Sequence, residues 1–310
     1  MTPVKPGETR GQDSLPHHKG ACMKDLELLP TIQSPADLKK LSIEQLPQLA
    51  DEMRQVICTS VSRSGGHLAP NLGVVDLTIA MHYVFDFGSD RLLFDVGHQC
   101  YSHKLLTGRL PLFDKLRQAG GAAGFPEPRE SPFDLFSVGH AGTAISTAVG
   151  MARGDMLQGE TNRRVVSIIG DSSIVNGLAM EGLNNAGTLK RQFLVVLNDN
   201  GMSIAKPQGA VSQYFDRVRV SAEFSEFKKR AHEIIKRLPY AQALEHWSYH
   251  AGEALKAAIM PGHMFEQFGL VCLGPIDGHD IPTLIDMLNE VKDYPHPILL
   301  HVKTIKGKGL

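Results

Sequence analysis

Between Ile43 and Val61 the leucines, isoleucines and valines recur at steps of three and four residues. That spacing predicts one helix with an apolar face. Just upstream, Ser34-Pro35 has the form of a helix start, a hydroxyl cap followed by proline in the first turn. Further along, short apolar runs replace the helical period, and each ends in a small polar motif. Leu92–Val96 runs into Gly97-His98-Gln99, Leu135–Val138 into Gly139-His140-Ala141, and Val165–Ile169 into Gly170-Asp171-Ser172. Phe193–Leu197 runs into Asn198-Asp199-Asn200, Leu270–Leu273 into Gly274–His279, and Ile298–Val302 into Lys303–Gly309. Continuous apolar runs of this length predict strands buried on both faces, as in a parallel sheet. Ile281, Leu284, Ile285, Leu288 and Val291 mark one face of a helix between the last two. The predicted fold class is α/β, a doubly wound and mostly parallel sheet. Ligands in such sheets bind beyond the carboxyl ends of the strands, where every polar motif sits. The motifs are therefore expected to share one crevice.

Two stretches break the pattern. Residues 1–25 are rich in Pro, Gly and charge without periodicity, and read as a disordered leader. Residues 208–264 are highly charged and helical in pattern, and read as an insertion that covers the site or packs on a partner. The remainder, 26–310, is expected to form one domain around that insertion.

Composition narrows the function. Lys plus Arg number 32 and Asp plus Glu 33, a balance that argues against nucleic acid or an anionic membrane as the main partner. No segment reaches the ~20 apolar residues of a membrane span, and none near the start resembles a signal peptide. The four cysteines are scattered with no C-x-x-C pair, which fits reduced thiols in a cytoplasm.

The sharpest chemical signal is Gly170-Asp171-Ser172, then 25 residues, then Asn198-Asp199-Asn200. A carboxylate, a side-chain amide and a nearby carbonyl are hard oxygen ligands of the kind Mg²⁺ prefers, with substrate phosphate completing the shell. A helix starting near Asn176 would aim its N-terminal N–H groups at the same place. The competing reading is that Asp171 caps that helix and Asn198-Asp199 only makes a turn. Both elements at this spacing favour a Mg²⁺-diphosphate clamp.

That pattern resembles the thiamin diphosphate motif. Other segments resemble one family, the 1-deoxy-D-xylulose-5-phosphate synthases. They are Ser62–His67, Asp95-Val96-Gly97-His98-Gln99, His103–Arg109, Asn198–Ile204 and Gly274–Asp280. The resemblance implies thiamin diphosphate and Mg²⁺ as cofactors, a transketolase-type transferase, and pyruvate and glyceraldehyde 3-phosphate as substrates. It implies Asp171, Asn200 and the Met202 carbonyl as metal ligands. His98, Gly139, His140, Ala141, Ser172, Ser173, Asn200 and Lys306 would line the cofactor, with His67 and His98 as catalytic residues at its reacting end. His82, His296, His301 and the histidines of the insertion are expected to be ordinary core or surface residues. His246 and His250, four apart, lack a third ligand for zinc.

Several positions depart from the family pattern. Ser172 stands where glycine is usual, Ala141-Gly142 where two serines are, and Leu310 where an aromatic is. The resemblance also implies a pyrimidine-binding domain and a C-terminal domain, both expected to be absent here. The chain is thus expected to be inactive alone and to work as a homodimer or with a chain carrying the pyrimidine-binding domain. Alternatives are a non-catalytic cofactor-binding relic and the N-terminal subunit of a split transketolase.

Overall fold

A computed structural model describes residues 26–201 and 263–310. The leader, Met202, most of the charged insertion, and His232, His246 and His250 lie outside the described residues.

The first helices pack before the sheet begins. Ser34 caps α1 (Pro35–Leu38), and Asp37 closes the capping box by accepting the Ser34 N–H at 3.0 Å. The helix predicted from Ile43 is split: Ile43–Gln45 is a 3₁₀ turn, and α2 runs Leu46–Ser64. Pro47 explains the break, because it has no N–H to donate back to Ile43 and belongs in a first turn. The predicted apolar face is the buried one, including Leu46, Leu49, Met53, Val56 and Ile57. Gly65, at φ 72°, ends the helix. Three further helices follow: α3 (Leu68–Leu72), α4 (Val75–Val84) and, after the first strand, α5 (Tyr101–Leu106).

The five described strands are β1 (Arg91–Phe94), β2 (Val165–Gly170), β3 (Phe193–Asp199), β4 (Val271–Asp277) and β5 (Pro297–Lys303). They pair in parallel in the order β1-β2-β3-β5-β4. Between them run α6 (Ala144–Leu157), α7 (Gly177–Ala186), α8 (His263–Glu266) and α9 (Ile281–Val291). Alternate strand residues feed two apolar layers. Leu92, Phe94, Val166, Ile168, Val196 and Leu300 pack with α2, α4, α5 and α9. Leu93, Ile169, Val195, Leu197 and Leu299 pack with α6, α7 and α8. Helices cover both faces, as the continuous apolar runs predict. All five carboxyl ends share one edge of the sheet. No helix among the described residues is long and apolar enough to cross a membrane.

One predicted strand is absent. Leu135–Val138 pairs with nothing, and Phe136 and Ser137 are exposed. A cavity of about 260 Å³ is lined by this segment on one side and by Leu92 and Phe94 of β1 on the other. Its two ends are anchored elsewhere. Asp134 accepts from Arg109 and His103, while the N–H groups of Gly142 and Ala144 donate to Asp95 at 3.0 and 3.2 Å.

The amino-terminal segment is fixed by a buried carboxylate. Glu52 on α2 accepts the N–H groups of Glu27, Leu28 and Leu29, the last at 2.8 Å. Replacing Glu52 by alanine would leave these donors without partners. It is expected to cost about 1–3 kcal/mol in denaturant unfolding and to expose the segment to proteolysis.

Candidate active site

At the carboxyl end of β2 the chain turns sharply through Gly170-Asp171-Ser172-Ser173. Asp171 is 9% exposed, and its N–H donates to the Asn198 carbonyl at 3.2 Å. One carboxylate oxygen accepts the Ser172 N–H at 2.7 Å; the other accepts the Gly201 N–H at 3.1 Å. The two halves of the motif, 25 residues apart in sequence, are thus bonded across neighbouring strands. Asp199 braces the second half, accepting from Gly201 at 3.0 Å and facing His301 Nε2 at 2.9 Å. Thr304 Oγ1, on the turn after β5, donates to Asn198 Oδ1 at 2.6 Å. Asn200 is half-buried beside this junction.

Asp171 does not cap α7. Asn176 does, its side chain accepting the Leu178 N–H at 2.9 Å. Among the described residues no three His, Cys, Asp or Glu side chains gather as a metal-binding group. A cation here would therefore draw on one carboxylate together with amide, carbonyl and phosphate oxygens, the donor set that suits Mg²⁺. Gly139, Gly170 and Gly177 each have open space where a Cβ would stand, room for a ligand at the strand ends. Ser172 is exposed and its hydroxyl lies 3.4 Å from the Asp171 carboxylate, while Ser173 is half-buried. His140 and Ala141 are exposed on the turn that Asp95 anchors.

His67 and His98 come from separate elements and meet with ring centroids 5.6 Å apart, edge to face, and Phe125 also meets His67 edge to face at 5.4 Å. Asn71, fully buried on α3, joins their backbones. Its amide donates to the carbonyls of His67 at 2.6 Å and His98 at 2.8 Å, and its oxygen accepts the Tyr101 N–H at 2.8 Å. The turn that presents His98 is strained. Val96 is at φ 60°, rare for a β-branched residue, and the Gly97 N–H closes onto Asp95 at 2.6 Å.

Burial, with the nearby Arg117 cation, lowers the pKa of His67. Burial, then His67 and Lys306, brings His98 down to about 4, against a weaker opposite pull from Asp95. Both rings are neutral near pH 7, and each keeps a buried Nδ1 without a partner among the described residues. Such a pair can take or pass a proton without first losing one. A histidine whose pKa falls on folding binds fewer protons folded than unfolded. Its contribution to stability is full above pH 6.5, the ordinary value, and is lost as pH falls toward about 4. Unfolding midpoints measured across that range are expected to drop, and to drop less steeply in His98→Gln.

Arg117, Phe125, Asn71 and Asp95 escape sequence reasoning. Arg117 and Phe125 lie in a stretch without periodicity. The roles of Asn71 and Asp95 depend on partners about 30 to 50 positions away. Of the other histidines expected to be ordinary, those among the described residues are so placed: His82 and His301 are buried and hydrogen-bonded, and His296 is exposed.

Against known proteins, residues 29–304 match the family model described as 1-deoxy-D-xylulose-5-phosphate synthase. The synthase of Carboxydothermus hydrogenoformans is 45% identical over 91% of this chain and 45% of its own length. That of Chlamydia pneumoniae is 49% identical over 91% of this chain and 44% of its own. The chain thus spans under half the length of these relatives. Among solved structures, transketolase from Campylobacter jejuni superposes with a TM-score of 0.58 at 21% identity, covering 87% of this chain and 39% of that one. A transketolase variant from Pichia stipitis reaches a TM-score of 0.62 at 18% identity, covering 86% and 37%. At such identities these two speak for the fold, and the family match speaks for the sequence: the chain belongs to the 1-deoxy-D-xylulose-5-phosphate synthase family, as its N-terminal domain.

Proposed function

We propose that this chain grips Mg²⁺ and the diphosphate of thiamin diphosphate, as the first part of an enzyme that joins pyruvate to glyceraldehyde 3-phosphate. The observation that carries this reading is the bond from Gly201 N–H to the Asp171 carboxylate, which brings Asn200 beside an acidic oxygen at the mouth of α7. Asp171 and Asn200 would supply metal ligands, and the Met202 carbonyl a third. The α7 N-terminus, the Ser172 and Ser173 hydroxyls and the Lys306 ammonium would meet the phosphates. Gly139, His140 and Ala141 would line the cofactor's flank. Thiamin diphosphate, when bound, supplies the carbon that takes up electrons on decarboxylation. His67 and His98 would hold or accept a proton at their partnerless Nδ1 atoms.

Activity on this reading needs a pyrimidine-binding domain, from a second copy of a longer chain or from a partner. Burial pushes the Cys100 and Cys272 thiols up to about 12, so neither is a ready nucleophile near pH 7. The test is to mix the chain with a polypeptide carrying the missing domains and assay 1-deoxy-D-xylulose 5-phosphate. Turnover that needs both chains and Mg²⁺ supports the reading. Cofactor binding without turnover would leave a non-catalytic module instead.

A further inference from the structure

Lys306 is half-buried, close enough to His98 to depress its pKa, and among the described residues it has no carboxylate partner. It sits on the turn that follows β5, and this turn is tied down at several points. The Thr304 N–H donates to the Asp199 carbonyl at 2.9 Å, and the Gly307 N–H to that of Ala69 at 2.9 Å. Gly73 lets the turn come close: a Cβ there would stand 3.0 Å from the Ile305 carbonyl oxygen.

The tie nearest Lys306 is a side chain from another part of the sequence. His279, on the turn between β4 and α9, accepts the Ile305 N–H at Nε2, 2.8 Å away. An accepting Nε2 places the ring proton on Nδ1, which faces Asp76 Oδ2 at 2.7 Å. Asp76, on α4, is also bonded by the Arg54 guanidinium from α2. The His279, Asp76 and Arg54 side chains are 8, 7 and 12% exposed. A buried relay thus runs from two helices of the outer layer to the backbone one residue before Lys306.

We propose that His279 is a positioning residue that latches the Thr304–Gly309 turn to α4 and so holds Lys306 beside His98. Resting on the function proposed above, the latch presents the Lys306 ammonium to the cofactor diphosphate. A flexible lysine gains most from such a backbone anchor, because its compact charge carries little geometric definition of its own. The histidine is suited to the task because its two nitrogens face opposite ways, one donating to a carboxylate and one accepting from a peptide.

The test uses the 310-residue chain. His279→Asn keeps a donor for Asp76 but cannot reach Ile305; His279→Gln has reach enough for both. Calorimetry with Mg²⁺ and thiamin diphosphate is expected to show about tenfold weaker binding for His279→Asn and for Lys306→Ala. The double variant should be no weaker than either, since both remove one coupled interaction. His279→Gln is expected to restore most of the affinity. Independently of any ligand, the His98 ring titration followed by NMR should move upward in His279→Asn, as the lysine charge withdraws. If His279→Asn does not fold, Ile305→Pro removes the same hydrogen bond from an exposed position and should give the same two results. Losses that multiply in the double variant, or a His98 titration that stays put in the latch variants, would overturn the proposal. Failure of the unaltered chain to bind Mg²⁺ and thiamin diphosphate would instead count against the proposed function, and the NMR titration would still decide the latch.

Discussion

Replacing Asp171 by alanine is expected to abolish Mg²⁺-dependent binding of thiamin diphosphate while leaving the fold intact. The carboxylate is 9% exposed at the β2–β3 junction and is bonded to the opposite half of the motif. Its removal takes away the anionic ligand proposed for the metal and the acceptor for two N–H groups. A divalent ion held by neutral oxygens alone is bound far more weakly, so affinity should fall by at least about 100-fold, or roughly 2.7 kcal/mol. The fold should survive because α7 is capped by Asn176 and the β2 ladder does not use this side chain. Calorimetry at fixed Mg²⁺ reads the binding, and circular dichroism the fold. Equal affinity in the variant would refute the metal assignment.

The second large effect concerns stability. Lys104, wholly buried, reaches Glu130 at 2.5 Å and Asp134 at 3.6 Å. Arg109 bonds the same two carboxylates, at 2.9 Å to Glu130 and 2.7 Å to Asp134. His103 faces Asp134 through Nε2 at 2.9 Å, and His82 Nε2 faces His103 Nδ1 at 2.9 Å. Burial alone would raise the pKa of Asp134, but the bonds from His103 and Arg109 outweigh it and hold the carboxyl well below its usual range. Burial lowers both histidines, so the two cations and two carboxylates balance inside the protein. Asp134→Ala would leave one positive charge buried and uncompensated. Breaking such a pair costs about 3–5 kcal/mol, which denaturant unfolding would read directly. Asp293→Ala is the control: it breaks a bond to Arg164 in which Asp293 is 61% exposed, and exposed pairs contribute roughly 1 kcal/mol at most. A loss below about 1 kcal/mol for Asp134→Ala as well would show that the buried network is not holding the segment.

These two cases mark what the sequence disclosed. The Asp171–Asn200 motif was legible because strand ends and helix starts follow local rules, and the parallel sheet then brings both halves to one edge. The apolar face of Ile281–Val291 was legible for the same reason. The buried network was not. His103–Arg109 entered only as a segment of the family resemblance, since the partners of His103, Lys104 and Arg109 lie 21 to 31 positions on and nothing local reveals that they are inside. The same network misled the reading of Leu135–Val138. The run has strand composition, yet Asp134 is drawn inward just before it and Asp95 holds the turn just after it, so the segment stands off from β1. His279 was noticed only as part of a motif. Its role depends on Asp76, 203 positions earlier, a distance at which no periodicity carries information.

On the function proposed above, the junction of β2 and β3 is a metal-diphosphate site. Its most direct measurement is a crystal of this chain grown with thiamin diphosphate and Mn²⁺ in place of Mg²⁺, with the metal located by anomalous scattering. The expected result is one strong peak about 2.1 Å from a carboxylate oxygen of Asp171 and from the Asn200 side chain, with the diphosphate on its open side toward α7. A metal peak elsewhere, or a diphosphate bound away from Asp171, would contradict it.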